Sequence, residues 1–178
     1  KAAWDFVNSD ECNMELSVIN PSLVLGPVLE SDFGSSVELV KRFLNGGFPL
    51  APNISFGIVD VRDVAQLHLL ALESPQASGN RFIASSETLA IPLISEFLRK
   101  KIPEYQKRLP KGTAPDFLIK LLGFFSPLMK TVANQLGKTK ELDNSKAKNI
   151  LGWQPRSGEE AVIASAKSLI EFDIVKSP

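Results

Sequence analysis

The stretch "INPSLVLGPVL", residues 19–29, decides how the chain is read. Its Ile, Val and Leu residues make the near-continuous apolar run of a buried parallel strand. It also carries Asn20-Pro21-Ser22 and leaves on Gly26-Pro27. Proline cannot donate to a sheet ladder and belongs at an edge, a start or a bulge. The stretch therefore predicts a strand over residues 16–25 whose far end serves something other than sheet stability.

Around it stand 178 residues, 44% hydrophobic and 22% charged, the composition of a soluble globular protein with room for a real core. Twenty basic and twenty acidic residues cancel, so the chain has no general attraction to nucleic acid or to an anionic membrane. The basic triplet Arg99-Lys100-Lys101 reads as a solvated helix end favoured by the helix dipole. Cys12 is the only cysteine and His68 the only histidine. An internal disulfide and a Cys/His zinc site are thereby excluded, and a reducing, cytoplasmic setting is expected. No signal peptide is expected at the charged, amphipathic N-terminus. The most membrane-like segment, residues 116–136, is interrupted by Lys120 and Lys130 and leaves an uncharged run about half the length of a bilayer span. The opening "KAAWDFV" reads as a helix cut in its middle, as in a fragment of a longer protein.

Along the chain, residues 2–7 predict a helix tail with a turn at Asp10-Glu11-Cys12-Asn13. "VELVKRFLNGG" predicts a helix stopped by Gly46-Gly47, with Ser35 and Glu38 at the spacing of a capping box. "ISFGIVDV" and "GNRFIAS" read as short strands, and "RDVAQLHLLALESP" as a helix between them capped by Asp60 or Asp63. "IPLISEFLRKKIP" has Pro92 in its tolerant first turn and Pro103 past its end. Residues 113–136 read as helix broken near Pro127, and "NSKAKNILG" as a short helix closed by Gly152. Ser157 and Glu160 form a second capping box, opening a helix that runs towards Phe172. Three strands alternating with helices predict an α/β protein: the back part of a doubly wound parallel sheet with a mainly helical cap.

Four stretches carry a resemblance to the C-terminal half of an extended short-chain dehydrogenase/reductase. They are "KAAWDFV", "NPSLVLGP", "VDVRDVAQLHLLALE" and "LDNSKAKNILGWQPRSGEEAV", in the family's order across almost the whole chain. The match is to the dihydroflavonol-reductase-like and aldehyde-reductase-like branch of the NAD-dependent epimerase/dehydratase superfamily. The resemblance implies a Rossmann-like sheet plus a substrate-binding subdomain. Residues 1–30 would close the dinucleotide-binding domain and residues 31–57 would belong to the substrate subdomain. Residues 58–87 would return to the sheet, and residues 88–178 would form the mainly helical substrate-binding region. The family's glycine-rich turn and its Tyr-x-x-x-Lys pair are not in this sequence: the only tyrosine is Tyr105, and Leu109 stands four residues on. No residue here is therefore assigned a catalytic or metal-binding role, and the chain alone is expected to be inactive.

The resemblance implies a chain that meets NAD(P) at its nicotinamide end only, through Pro21, Ser22, Leu23 and Val24. The competing reading of that stretch is a bulged strand end with no ligand. Substrate contacts are expected from Val28, Leu29, Phe33, Ser35, Ser36, Phe56 and Arg62, each with an ordinary alternative in core packing or, for Arg62, an ion pair. His68 reads as a packed core histidine rather than a catalyst. Phe117, Phe124 and Phe125 read as a helix–helix packing stripe. The implied activity is an NAD(P)-dependent oxidoreductase reducing a carbonyl or oxidising an alcohol of a small organic substrate. The alternatives are a nucleotide-sugar epimerase or dehydratase and a non-catalytic NAD(P)-sensing regulator. An exposed strand edge is expected to require the missing N-terminal half or a second copy of the chain. No nucleic-acid or membrane partner is expected.

Overall fold

The apolar run that reads as one strand is two in space. β1 (Val18–Pro21) pairs in parallel with β4 (Arg81–Ala84), while β2 (Leu23–Leu25) pairs in parallel with β3 (Ser55–Asp60). Ser22 alone separates them, and its amide still reaches Ala84 O at 3.0 Å. Val18 N also points to the β4 side, to Asn80 O. Strand residues alternate the edge to which they donate, so Pro21 faces away from β4. Its missing amide proton removes a donor from the open edge and costs the ladder nothing. The structure is a computed structural model describing residues 1–9 and 12–178, the side chains of Leu128 and Met129 excepted. The turn expected at Asp10-Glu11 lies outside the described residues.

β3 is the divide between two cores, because successive side chains leave a strand on opposite faces. Ile58 joins a core with Leu25, α2 (Glu38–Leu44), α4 (Ile91–Lys101) and α8 (Gly158–Glu171). Val59 joins a second core with α3 (Val61–Glu73), α7 (Ser145–Leu151), Phe82 and Trp153. The far edge of β3 is taken in antiparallel fashion by β5 (Glu87–Ala90), a strand the sequence reading does not predict. Ser86 N and Oγ both donate to Ile58 O, stitching the β4–β5 corner to β3.

Helix ends follow local chemistry where the flanking backbone allows it. Ser157 and Glu160 form the predicted capping box of α8, and Gly152 closes α7 in the left-handed conformation at φ 63°. Asp60 caps α3 by accepting from Arg62 N, so the choice between Asp60 and Asp63 falls on the first. The Ser35–Glu38 box does not form. α2 starts from Val37, already helical at φ −71°, with no side-chain cap, because residues 34–37 turn first, Val37 N bonding Gly34 O.

Two packing expectations are overturned. His68 is exposed, its Nδ1 2.8 Å from Val64 O, because α3 buries Asp63, Leu67 and Ala71. Those residues lie four apart, and the face they define excludes position 68. Phe117, Phe124 and Phe125 are also exposed, the last two at 85% and 82%. The helix expected to break near Pro127 does so, as the short pair α5 (Asp116–Leu122) and α6 (Pro127–Ala133), and α5 turns only Ile119 inward. α1 (Ala2–Val7) lies where expected. No helix among the described residues is long and apolar enough to cross a membrane.

Candidate active site

Parallel α/β sheets bind ligands beyond the carboxyl ends of their strands. Beyond β2 lies a cavity of about 320 Å³, lined by Val24, Leu25 and residues 26–30, by Asp32, Phe33, Gly34, Ser36 and Val37, and by Val61 from the start of α3. That volume sits at the small end of ligand pockets. Larger depressions, of about 770, 690 and 580 Å³, lie at the α5–α6 tip, beside Trp153 and next to α2 on the other side of Phe33. The one beside Trp153 includes Ser86, just past the end of β4, but the cavity after β2 is where most of the residues named from sequence gather.

The cavity wall begins at Gly26, and only glycine fits there. Its φ of +120° is a conformation L side chains rarely adopt, and a Cβ would stand 2.9 Å from Asp60 Oδ1 and 3.0 Å from Val61 Cγ1. Asp60 cannot yield, because it is fully buried at the end of β3 and committed three times. Oδ1 accepts from Arg62 N and Nε at 2.9 and 2.8 Å, and Oδ2 from Arg62 Nη2 at 2.7 Å. The same bonds hold the Arg62 guanidinium above its usual pKa: the hydrogen bond from Asp60 contributes most, and burial opposes it. Arg62 thus spends two of its forked nitrogens on a buried carboxylate.

Across the cavity, Phe33 is held from outside by Lys41, whose Nζ lies 5.2 Å from the ring centroid. Lys41 in turn pairs with Glu38 at 3.4 Å. The lining is apolar except for Ser36 and the carboxylates Glu30 and Asp32, and it contains neither Lys nor Arg.

Of the residues named from sequence, the structure brings Val24, Val28, Leu29, Phe33 and Ser36 to this one cavity. Ser35 lines the neighbouring depression with Phe33, Leu39 and Phe48. Pro21 is exposed on the open edge of β1. Leu23 is half-buried and packs against the first core. Phe56, 37% exposed, stands opposite Leu89 on the β3–β5 ladder, away from the cavity. Ser22 differs from all of these: its Oγ is sealed from solvent and has no hydrogen-bond partner. It shares that state with Ser85 Oγ, and both serines flank the notch that Gly57 leaves open and Leu142 fills. Tyr105 is buried in the first core.

Sequence reading missed the residues that hold the site together. Gly26 and Asp60 were read as strand exit and helix cap. The "LGWQPR" ending proves to be a clasp: Trp153 Nε1 donates to Asp63 O at 2.9 Å, Arg156 N to Asp63 Oδ2 at 2.8 Å, and Arg156 Nη1 to Asp63 Oδ1. Asp63, 1% exposed, thereby ties the start of α3 to the segment leading into α8. The only prior signal was its acidic first-turn position.

No family model matches the chain. The NADPH-dependent methylglyoxal reductase GRE2 of Saccharomyces cerevisiae is 29% identical over 181 residues, covering 97% of this chain and 48% of the yeast protein. The ketoreductase azaE of Aspergillus niger is 33% identical over 182 residues, covering 96% and 48%. The solved structure of yeast Gre2, a methylglyoxal/isovaleraldehyde reductase complexed with NADPH, superimposes with a TM-score of 0.74 at 27% identity, over 97% of this chain and 48% of that one. A nucleoside-diphosphate-sugar epimerase from Pseudomonas aeruginosa shares the fold at a TM-score of 0.69 and 16% identity, over 92% and 51%. The chain spans about half the length of the curated relatives it matches. The parallel pairings of β1 with β4 and of β2 with β3, the glycine turn at the strand end and these similarities agree: the chain belongs to the extended short-chain dehydrogenases/reductases of the NAD-dependent epimerase/dehydratase superfamily.

Proposed function

We propose that this chain is the substrate-binding part of an NADPH-dependent carbonyl reductase acting on small, neutral aldehydes or ketones. The observation that carries the reading is the cavity after β2, apolar, acid-rimmed and without a basic residue. A nucleotide sugar or a coenzyme A thioester brings several negative charges, which Glu30 and Asp32 would repel and nothing in the lining would pair. A neutral carbonyl compound meets no such penalty. The similarity to methylglyoxal reductase and ketoreductase supports the same class.

Bound NADPH would supply a hydride to the carbonyl carbon, leaving NADP⁺ and an alcohol once a proton reaches the oxygen. This chain's part is to seat the substrate and to wall the nicotinamide with residues 21–24. Ser22 Oγ fits that wall: a sealed hydroxyl without a partner costs free energy until a polar group meets it, and a carboxamide offers both donor and acceptor. Arg62, expected from sequence at the substrate, is not among the lining residues and is committed to Asp60 through Nε and Nη2. The catalytic acid and the pyrophosphate seat would come from residues outside this chain. The open β1 edge is where they, or a second copy, would continue the sheet.

The test is turnover by the whole protein that carries this chain, with NADPH and a series of neutral aldehydes, an acyl-coenzyme A thioester and a nucleotide sugar. Oxidation of NADPH with the aldehydes is the expected result. Turnover of the thioester alone, or conversion of the nucleotide sugar without net oxidation of NADPH, would overturn the proposal.

A further inference from the structure

Residues 26–28 leave the sheet where β2 ends at Leu25, so no ladder serves their backbone. Buried amides must still find acceptors. Gly26 N donates to Ser165 Oγ at 2.7 Å, and Val28 N to Ser168 Oγ at 2.9 Å. Pro27 has no amide proton. Both backbone donors of residues 26–28 are thus taken by two serines of α8, some 140 residues away in sequence.

The serines are equipped for it. The buried face of α8 is otherwise Gly158, Ala161, Val162, Ala166 and Leu169, with Ser165 and Ser168 three apart along it. A helix serine commonly spends its hydroxyl on a carbonyl of the preceding turn. Ser168 does so, donating to Ser165 O at 3.1 Å, which orients its oxygen to accept from Val28 N. Ser165 has two carbonyls in reach, Gly26 O at 2.8 Å and Ala161 O at 3.1 Å, and the shorter contact closes a two-way bond with Gly26.

We infer that Ser165 and Ser168 are positioning residues for the substrate pocket. They fix the 26–28 backbone and, through it, the distance between Val28 and Phe33 across the cavity. Neither serine lines the cavity; both act through the wall they hold. The inference rests on the reading of that cavity as the carbonyl-substrate site.

The test compares wild type with Ser168→Ala and with Ser168→Thr, which keeps the hydroxyl, all as the whole protein. For a branched aldehyde, Ser168→Ala should raise KM about three- to tenfold, the loss of one oriented hydrogen bond. The kcat for the smallest aldehyde and the KM for NADPH should stay within about twofold, and Ser168→Thr should recover much of the loss. A merely structural serine would move all parameters together, and an idle one none; either result refutes positioning. If Ser168→Ala fails to fold, amide hydrogen exchange on wild type decides: Val28 should be protected like the core of α8, and loop-like exchange overturns the inference. A wild type that reduces no carbonyl refutes the functional reading itself and this inference with it, an outcome distinct from unchanged KM in an active enzyme.

Discussion

Replacing Gly26 with alanine tests the site's central geometric claim. The new Cβ would arrive 2.9 Å from Asp60 Oδ1, 3.0 Å from Val61 Cγ1 and 3.1 Å from Asp60 Cγ. A side chain at φ +120° costs about 1–3 kcal/mol by itself. Relieving the overlap costs a further 1–3 kcal/mol or so, because Asp60 can move only by opening its fork with Arg62. The sum is about 2–6 kcal/mol, enough to unfold a marginal protein. Gly34 is the control: it lines the same cavity, has no positive φ, and a Cβ there meets nothing within 4 Å. Gly34→Ala should change stability by less than about 1 kcal/mol and in the stabilising direction. The assay is urea unfolding of both variants beside wild type, read as the shift in midpoint at constant slope. If Gly26→Ala loses less than about 1 kcal/mol, or tracks Gly34→Ala, then the buttressing of the turn by Asp60 is wrong.

Two further outcomes concern the α7–α8 side. Arg156→Ala should destabilise by about 1.5–3 kcal/mol in the same urea assay, since it strips a charged hydrogen bond from buried Asp63. The figure stays below that of a fully buried pair because the Arg156 side chain is 42% exposed and its backbone amide still donates to Asp63; Arg156→Lys should recover only part. Asp143 is held below the usual carboxylate range first by the Ser145 hydroxyl and then by the Ser145 amide. A depressed folded pKa stabilises above the unfolded pKa and is lost as pH falls through the folded one. The gap between wild type and Asp143→Ala should therefore be open at pH 7 and close below about pH 4, and an equal gap at both would refute the assignment.

Much of the fold was legible because it rests on local chemistry. Gly152, Pro155 and the Ser157–Glu160 box mark their helix ends correctly because each acts within four residues. The Ser35–Glu38 pair has the same spacing and fails because residues 34–37 turn, Val37 N bonding Gly34 O, before the chain becomes helical. β5 escaped because "ETLA" has no run of β-branched residues and gains its partner only across β3. His68 was misplaced for a more instructive reason. The inward face of α3 begins with Asp63, and hydrophobic periodicity never assigns an aspartate to a core face. Arg156, 93 residues away, supplies the partners of that buried carboxylate.

The candidate site shows the same division more sharply. Val28, Leu29, Phe33 and Ser36 could be named because they follow the strand end that the resemblance places on the ligand side, and Val24 because it stands in the stretch matched to the nicotinamide wall. What fixes them could not, since a hydroxyl meeting a backbone amide across 139 residues leaves no periodic trace. This has a consequence for how such a pocket changes. A wall held in a ladder moves only if the sheet moves. Here the wall is bound by side chains from α8 and buttressed by a carboxylate from β3, so its position depends on residues outside the cavity. Substitution at position 165 or 168 can shift Val28 while Ile58, Val59 and the parallel pairing of β2 with β3 stay in place. Under the proposed reading, lining residues would set which groups touch the substrate, and α8 would set how far apart they stand.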